Sequence, residues 1–83
     1  MSNSKPISAT NKENYIKLGL NISYFRKRSG MTQEELAEKI GISRSHLSAI
    51  EAPNIIRSFS LELLFLIAKE LNIEAYKLLD FKD

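Results

Sequence analysis

The stretch TQEELAEKIGISRSHLSAIE, residues 32–51, holds two short amphipathic segments joined at a single glycine. Thr32 is an N-cap type, and Glu35 three residues later completes a capping box, so a helix is predicted over about Gln33 to Ile40. Its inward residues are Leu36, Ala37 and Ile40. Gly41 stands where a left-handed residue would end that helix. Ser43 can cap a second helix running to about Glu51, with Leu47 and Ile50 inward. Ala37, Gly41 and Leu47 lie four and six residues apart. That spacing suits two helices crossing steeply over a tight turn: the small Ala37 permits close approach, Leu47 inserts from the second helix, and Ile42 plugs the corner. The outward face of the second helix is polar and carries Arg44, the kind of surface a small protein lays in a DNA major groove.

Working outward, residues 1–11 (MSNSKPISATN) show no periodicity and read as a flexible N-terminal arm, leaving residues 12–83 as one folded domain. From about Lys12 to Arg28, Tyr15, Leu18, Ile22 and Phe25 recur at helical spacing. Arg26, Lys27 and Arg28 crowd its last turn, where cations complement the helix dipole, and Gly30 supplies the stop. Beyond Glu51, Pro53 prevents the helix from continuing far. Residues 54–59 form a loop containing Ile55 and Ile56. A fourth helix is predicted from a capping Ser60 with Leu61, Leu64, Ile67, Ala68 and Leu71 inward, ending at Asn72. A fifth, about Ile73 to Leu79, carries Tyr76, Leu78 and Leu79, with Phe81 left in a charged tail. No strand pattern or repeat appears, so the expected fold is all-α, a compact bundle of about five helices.

Composition narrows the function classes. The chain has no cysteine and one histidine among 83 residues, which gives neither disulfides nor a metal site and fits a reducing cytoplasm. Apolar runs such as Leu63–Ala68 are too short to span a bilayer, and the N-terminus has no apolar core of the secretory kind. No glycine-rich phosphate loop is present, and Glu34, Glu35 and Glu38 suit a solvated helix face, so no enzyme is expected. With a single domain, no cofactor or small-molecule ligand is expected either. The net charge is only +2, but it is uneven: nine Lys/Arg against five Asp/Glu up to Ser60, then three against five. A basic first part and an acidic tail suit a protein that meets an anion on one side.

Phe25-Arg26, then Gly30-Met31-Thr32-Gln33-Glu34-Glu35-Leu36-Ala37, Ile42-Ser43-Arg44-Ser45 and Ile50-Glu51 resemble the Cro/C1-type (XRE-like) helix-turn-helix family of small bacterial and phage regulators. Ser60-Leu61-Glu62 and Ile67-Ala68-Lys69-Glu70-Leu71-Asn72-Ile73 resemble its fourth and fifth helices, so the resemblance covers about Leu18 to Leu79. It implies a lambda-repressor-like five-helix fold, with the helix-turn-helix motif at about residues 33–52. It also implies that Gln33 contacts a phosphate and steadies the recognition helix, a contact that Thr32 could join, and that Arg44, Ser45 and Ala49 contact bases. Ser43, His46 and Ser48 share or flank that outward surface. Arg44 is the strongest base reader by chemistry, since a guanidinium can bond both acceptors of a guanine edge, though a phosphate would also satisfy it. Ser45 can discriminate only weakly, and Ala49 offers apolar contact alone. By the same resemblance Arg26 and Glu51 form a buried ion pair tying helix one to the end of helix three.

The chain departs from the family after Glu51. Its loop Ala52–Phe59 is longer by about two residues than in many members and carries one charge, Arg57. Asn54, Arg57 and Ser58 are its candidates for backbone contacts, while Ile55, Ile56 and Phe59 are expected to fold back on the core or meet protein. The function expected is sequence-specific binding of double-stranded DNA by a transcriptional regulator, of repressor or controller type. A homodimer on an inverted repeat is expected, because one such domain touches few base pairs. Helix five, with Tyr76, Leu79 and Phe81, is the expected pairing face. The alternative is a protein-interaction module, an antitoxin or anti-repressor, using the same fold.

Overall fold

A computed structural model describes residues 7–56 and 60–81. Five helices follow in order: α1 Ala9–Arg28, α2 Gln33–Ile40, α3 Arg44–Glu51, α4 Leu61–Glu70 and α5 Ala75–Leu78. α2 packs on α3 and α4, α1 on α3 and α5, and α4 on α5, so α3 is held from two sides. The architecture is the expected all-helical bundle.

The caps that the sequence announces are formed. Thr32 Oγ1 accepts the Glu35 amide at 3.0 Å while the Thr32 amide donates to Glu35 Oε1 at 2.8 Å, closing the capping box. Ser43 Oγ accepts the His46 amide at 3.0 Å, and Ser60 Oγ that of Leu63 at 3.2 Å. Three helices close in one way. Gly30, Gly41 and Asn72 all take positive φ, and the amide after each reaches back to the carbonyls of Arg26, Ala37 and Ala68 respectively. This six-to-one closure satisfies carbonyls that a helix end otherwise leaves unpaired. At Gly41, φ is 78°, a conformation that a Cβ opposes, and α3 leaves α2 at the angle this residue allows.

Several boundaries and faces differ from the sequence reading. α1 begins at Ala9, not near Lys12, because Ser8 caps it by accepting the Asn11 amide at 3.2 Å. Its first turn is polar, so hydrophobic periodicity does not mark it. Tyr15 and Phe25 are only half-buried, whereas Gly19 and Arg26 join Leu18 and Ile22 on the inward face. Leu61 is turned outward at 65% exposure, and Leu63 takes the inward place beside Leu64, Ile67, Ala68 and Leu71. α5 is a single turn from Ala75, because Asn72 and Ile73 are used to close α4. Phe81 is not a free tail residue: it packs, half-buried, against the core. Ile55 does not fold back but stays 45% exposed, and Ile56 is half-buried without joining the core. Phe59 lies outside the described residues.

The core is Leu18, Ile22, Leu36, Ala37, Ile40, Leu47, Ile50, Leu63, Leu64, Ile67, Ala68, Leu71 and Leu78. Each of its leucine and isoleucine side chains contributes on the order of 1.5–3 kcal/mol when fully buried, against the entropy of ordering the chain. Two polar devices fix elements to this core. Asn21 Nδ2 on α1 donates to the carbonyls of Leu78 (2.9 Å) and Asp80 (3.3 Å), tying down the end of α5. The other holds α3.

Candidate nucleic-acid interface

Arg26 of α1 is 6% exposed and Glu51, the last residue of α3, 7%. The guanidinium grips the carboxylate with two parallel bonds, Nε to Oε2 at 2.8 Å and Nη2 to Oε1 at 3.0 Å. Its remaining Nη1 donates to the Met31 carbonyl at 2.6 Å, just before α2. This is the expected ion pair, in the bidentate form that best offsets desolvation. A bond the sequence did not announce adds a third element. Gln33 Nε2, on the first residue of α2, donates to Glu51 Oε1 at 3.0 Å. Glu51 therefore accepts from both α1 and α2, and no buried side-chain nitrogen or oxygen among the described residues is left without a partner.

Glycine 19 sets how closely α1 and α3 approach. A Cβ on Gly19 would lie only 2.2 Å from the Ile50 carbonyl oxygen. The two main chains thus meet where any larger residue would separate them. An isolated glycine inside a helical pattern signals such a contact, but the sequence does not say with what.

The predicted contact residues are spread over this frame. Thr32, Ser43, Arg44 and Ser45 are exposed, and Gln33, His46, Ser48 and Ala49 are half-buried. Thr32, Gln33 and Arg44 line one open cleft with Arg26 and Glu34. The N-terminus of α2 and the N-terminus of α3 therefore open onto the same groove. Thr32 Oγ1 takes the Glu35 amide, which leaves those of Gln33 and Glu34 without acceptors in the helix or its cap, and they favour an anion there. The Glu34 carboxylate on the same cleft opposes one, so the groove is less basic than Arg44 alone makes it. Asn54 is exposed, three residues past the end of α3, and is not among the residues that line this cleft. Arg57 and Ser58 lie outside the described residues. Among the described residues, no helix is long and apolar enough to cross a membrane.

A helix-turn-helix family model (HTH_3) matches residues 22–78. The HTH-type transcriptional regulator SinR of Bacillus licheniformis is 36% identical over 66 residues, 80% of this chain and 59% of that protein. SinR of Bacillus subtilis (strain 168) is 37% identical over 65 residues, 78% of the chain and 58% of the relative. The chain thus spans somewhat under three fifths of these regulators' length. Among solved structures, the restriction-modification controller protein C.AhdI from Aeromonas hydrophila superposes with a TM-score of 0.73 at 30% identity, over 80% of this chain and 97% of that one. SinR solved in complex with DNA gives a TM-score of 0.69 at 36% identity, over 76% of this chain and 98% of that one.

Proposed function

The chain belongs to the helix-turn-helix family of Cro/C1-type transcriptional regulators, and on that premise we propose that it binds a specific DNA sequence by inserting α3 into the major groove. The observation that carries this reading is the shared cleft: the exposed end of α3 with Arg44 and the N-terminus of α2 with Thr32 and Gln33 face one groove. Phosphate contacts position a protein on the duplex and base contacts specify its sequence, so one surface that carries both kinds of group can do the two together. A relative of the same fold has been solved in complex with DNA, which supports the same use here.

In this reading Gln33 and Thr32 hold a phosphate, Arg44 reads a base, Ser45 and Ala49 add weaker contacts, and Ser43, His46 and Ser48 complete the surface. Asn54 and Arg57 are the candidates for backbone contacts beyond α3. With one cationic reader per domain, the protein acts as a homodimer on an inverted repeat, since a single domain offers too few contacts against genomic competition. Tyr76 at 65% and Leu79 at 48% exposure supply the pairing face on α5. Phe81 is removed from it by its own packing on the core.

Selection from random duplex DNA tests this function. A palindromic consensus supports both DNA reading and dimerisation, an asymmetric consensus removes the dimer, and no enrichment overturns the proposal in favour of a protein-interaction role. Arg44→Ala should relax specificity at one base position, whereas a uniform loss across all sequences would assign Arg44 to a phosphate.

A further inference from the structure

A second cleft lies on the side of α1 turned away from α3, and it shares no residue with the proposed DNA-contact set. It encloses about 600 Å³ between the C-terminal half of α1 and the end of α5, inside the range of about 300–1,000 Å³ typical of small-ligand sites. At about 100° per residue, Tyr24 stands roughly 140° and Arg28 roughly 180° round the helix from Gly19, which faces the Ile50 carbonyl. α1 contributes Tyr24 and Arg28 to this cleft, and α5 contributes Tyr76 and Lys77. Both walls are held in place. Tyr24 rests edge-on against Phe25, with ring centroids 5.0 Å apart, and its hydroxyl oxygen accepts from Arg28 Nη1 at 3.4 Å. On the other wall, Asn21 Nδ2 ties the Leu78 and Asp80 carbonyls to α1.

The two phenol rings stay largely in solvent, Tyr24 at 56% and Tyr76 at 65% exposure. Exposed aromatic faces gain from stacking on a planar partner. Two exposed cations stand beside them. Arg28 spends one N–H donor on Tyr24 and keeps the rest of its fork. Lys77 makes no side-chain hydrogen bond or ion pair among the described residues. Asp80 also lines the cleft, but it is itself engaged and is not a free charge. This set selects by elimination. A cation would gain from the rings but meet two like charges. A wholly apolar molecule would leave both cations unused, and a simple inorganic anion would leave both rings unused. We infer that the cleft binds a small planar aromatic molecule carrying an anionic group. Its ring lies against Tyr24 and Tyr76, and its carboxylate or phosphate lies on Arg28 and Lys77. A guanidinium can bond such a group through two parallel N–H donors, so Arg28 sets the preference for an anion.

Such a site is independent of DNA reading, and nuclear magnetic resonance of the nitrogen-labelled full chain tests it. Two probes carry the shared chemistry from different sources, adenosine monophosphate and salicylate; adenosine and salicylamide are their uncharged counterparts. Tyr76 is also on the proposed pairing face, so titrations use a dilution at which sedimentation finds the monomer. The expected result is a saturable shift of the amides from Asn21 to Arg28 and from Tyr76 to Asp80. At least one anion produces it, and its uncharged counterpart binds about tenfold more weakly, the size of one charge-assisted hydrogen bond. Arg28→Gln should remove that same factor from the anion and leave the uncharged counterpart as it was. Tyr76→Leu should weaken both by about tenfold, as loss of one stacking face does. Both side chains are exposed, so the variants stay folded, and thermal melts check this. A response to adenosine monophosphate alone assigns the site to a nucleotide, and one to salicylate alone to an aromatic acid. No saturable shift with either anion, equal binding of charged and uncharged probes, or wild-type affinity in Arg28→Gln would overturn the assignment. So would shifts confined to Thr32, Gln33 and Arg44, which would place the anion on the DNA-contact cleft. Selection of a DNA consensus is read separately, so the proposed function stands or falls on its own result.

Discussion

Replacing Gly19 with alanine is the sharpest test of how this frame is built, because two helix-scale effects of opposite sign meet at one atom. In an isolated helix the change would stabilise by about 0.8–1 kcal/mol, since glycine is the poorer helix former. Here the new Cβ would stand 2.2 Å from the Ile50 carbonyl oxygen, 3.3 Å from its carbon and 3.5 Å from the Glu51 Cα. The closest comfortable carbon–oxygen contacts are about 3.3–3.6 Å, so α1 and α3 must part by roughly 1 Å. The obstructing atoms are main chain inside α3, and no rotamer change can clear them. Overpacking of this kind costs about 1–3 kcal/mol and occasionally more; the upper end applies where backbone meets backbone. The net expectation is a loss of about 2 kcal/mol, which lowers Tm by about 8–16 °C for a domain of this size. A melt followed by circular dichroism reads it directly. A Tm equal to or above that of the wild type would refute the close approach of α1 and α3 and the geometry built on it. Part of the displacement falls on Glu51, so the folded fraction at low temperature should also bind its DNA consensus less selectively.

Two further perturbations probe the clamp and the turn. Arg26→Met should destabilise by about 3–5 kcal/mol, because Glu51 then keeps a buried charge with its cation gone. Urea denaturation measures this, and a double replacement with Glu51→Leu should recover much of the loss; if the single variant is no worse than the double, the pair is not what holds α3. Gly41→Ala meets no atom within 4 Å, so its cost is conformational alone, about 1–2 kcal/mol for a left-handed residue. Gly41→Asn should cost less, and the order of their urea midpoints checks the assignment of strain to φ.

Much of the fold was legible because its signals are local. Thr32 with Glu35, Ser43, Ser60, Gly41 and Asn72 each act within five residues, and each marks a helix end where the structure has one. The errors lie where a choice depends on distant partners. Leu61 and Leu63 both fit a helical pattern with Leu64, Ile67 and Leu71, and only the direction from which α2 and α5 pack on α4 decides which turns inward. The start of α1 escaped because its first turn, Ala9-Thr10-Asn11, has no large apolar residue to reveal it. For the site, Thr32, Gln33 and Arg44 were identifiable by resemblance, and the structure gathers those three on one cleft. The Gln33–Glu51 bond, the Gly19 contact and the presence of Glu34 on that cleft were not, since each depends on the crossing of helices far apart in the chain.

On the proposed mode of DNA binding, those non-local contacts change where specificity resides. The outward face of α3 is sparse: Arg44 is its only cation, flanked by serines, a histidine and an alanine. The inward side is the reverse, with Glu51 gripped by two bonds from Arg26 and one from Gln33, and the Ile50 carbonyl set against a glycine. A bidentate guanidinium–guanine pair discriminates by about 1–3 kcal/mol, but only when both its bonds are straight. With few contacts, misplacing α3 by an ångström cannot be made good elsewhere on the surface. The value of each outward residue therefore depends on the rigidity of the inward ones. Substitutions at Gly19, Arg26, Gln33 or Glu51 should then move selectivity as much as substitutions on the reading face itself.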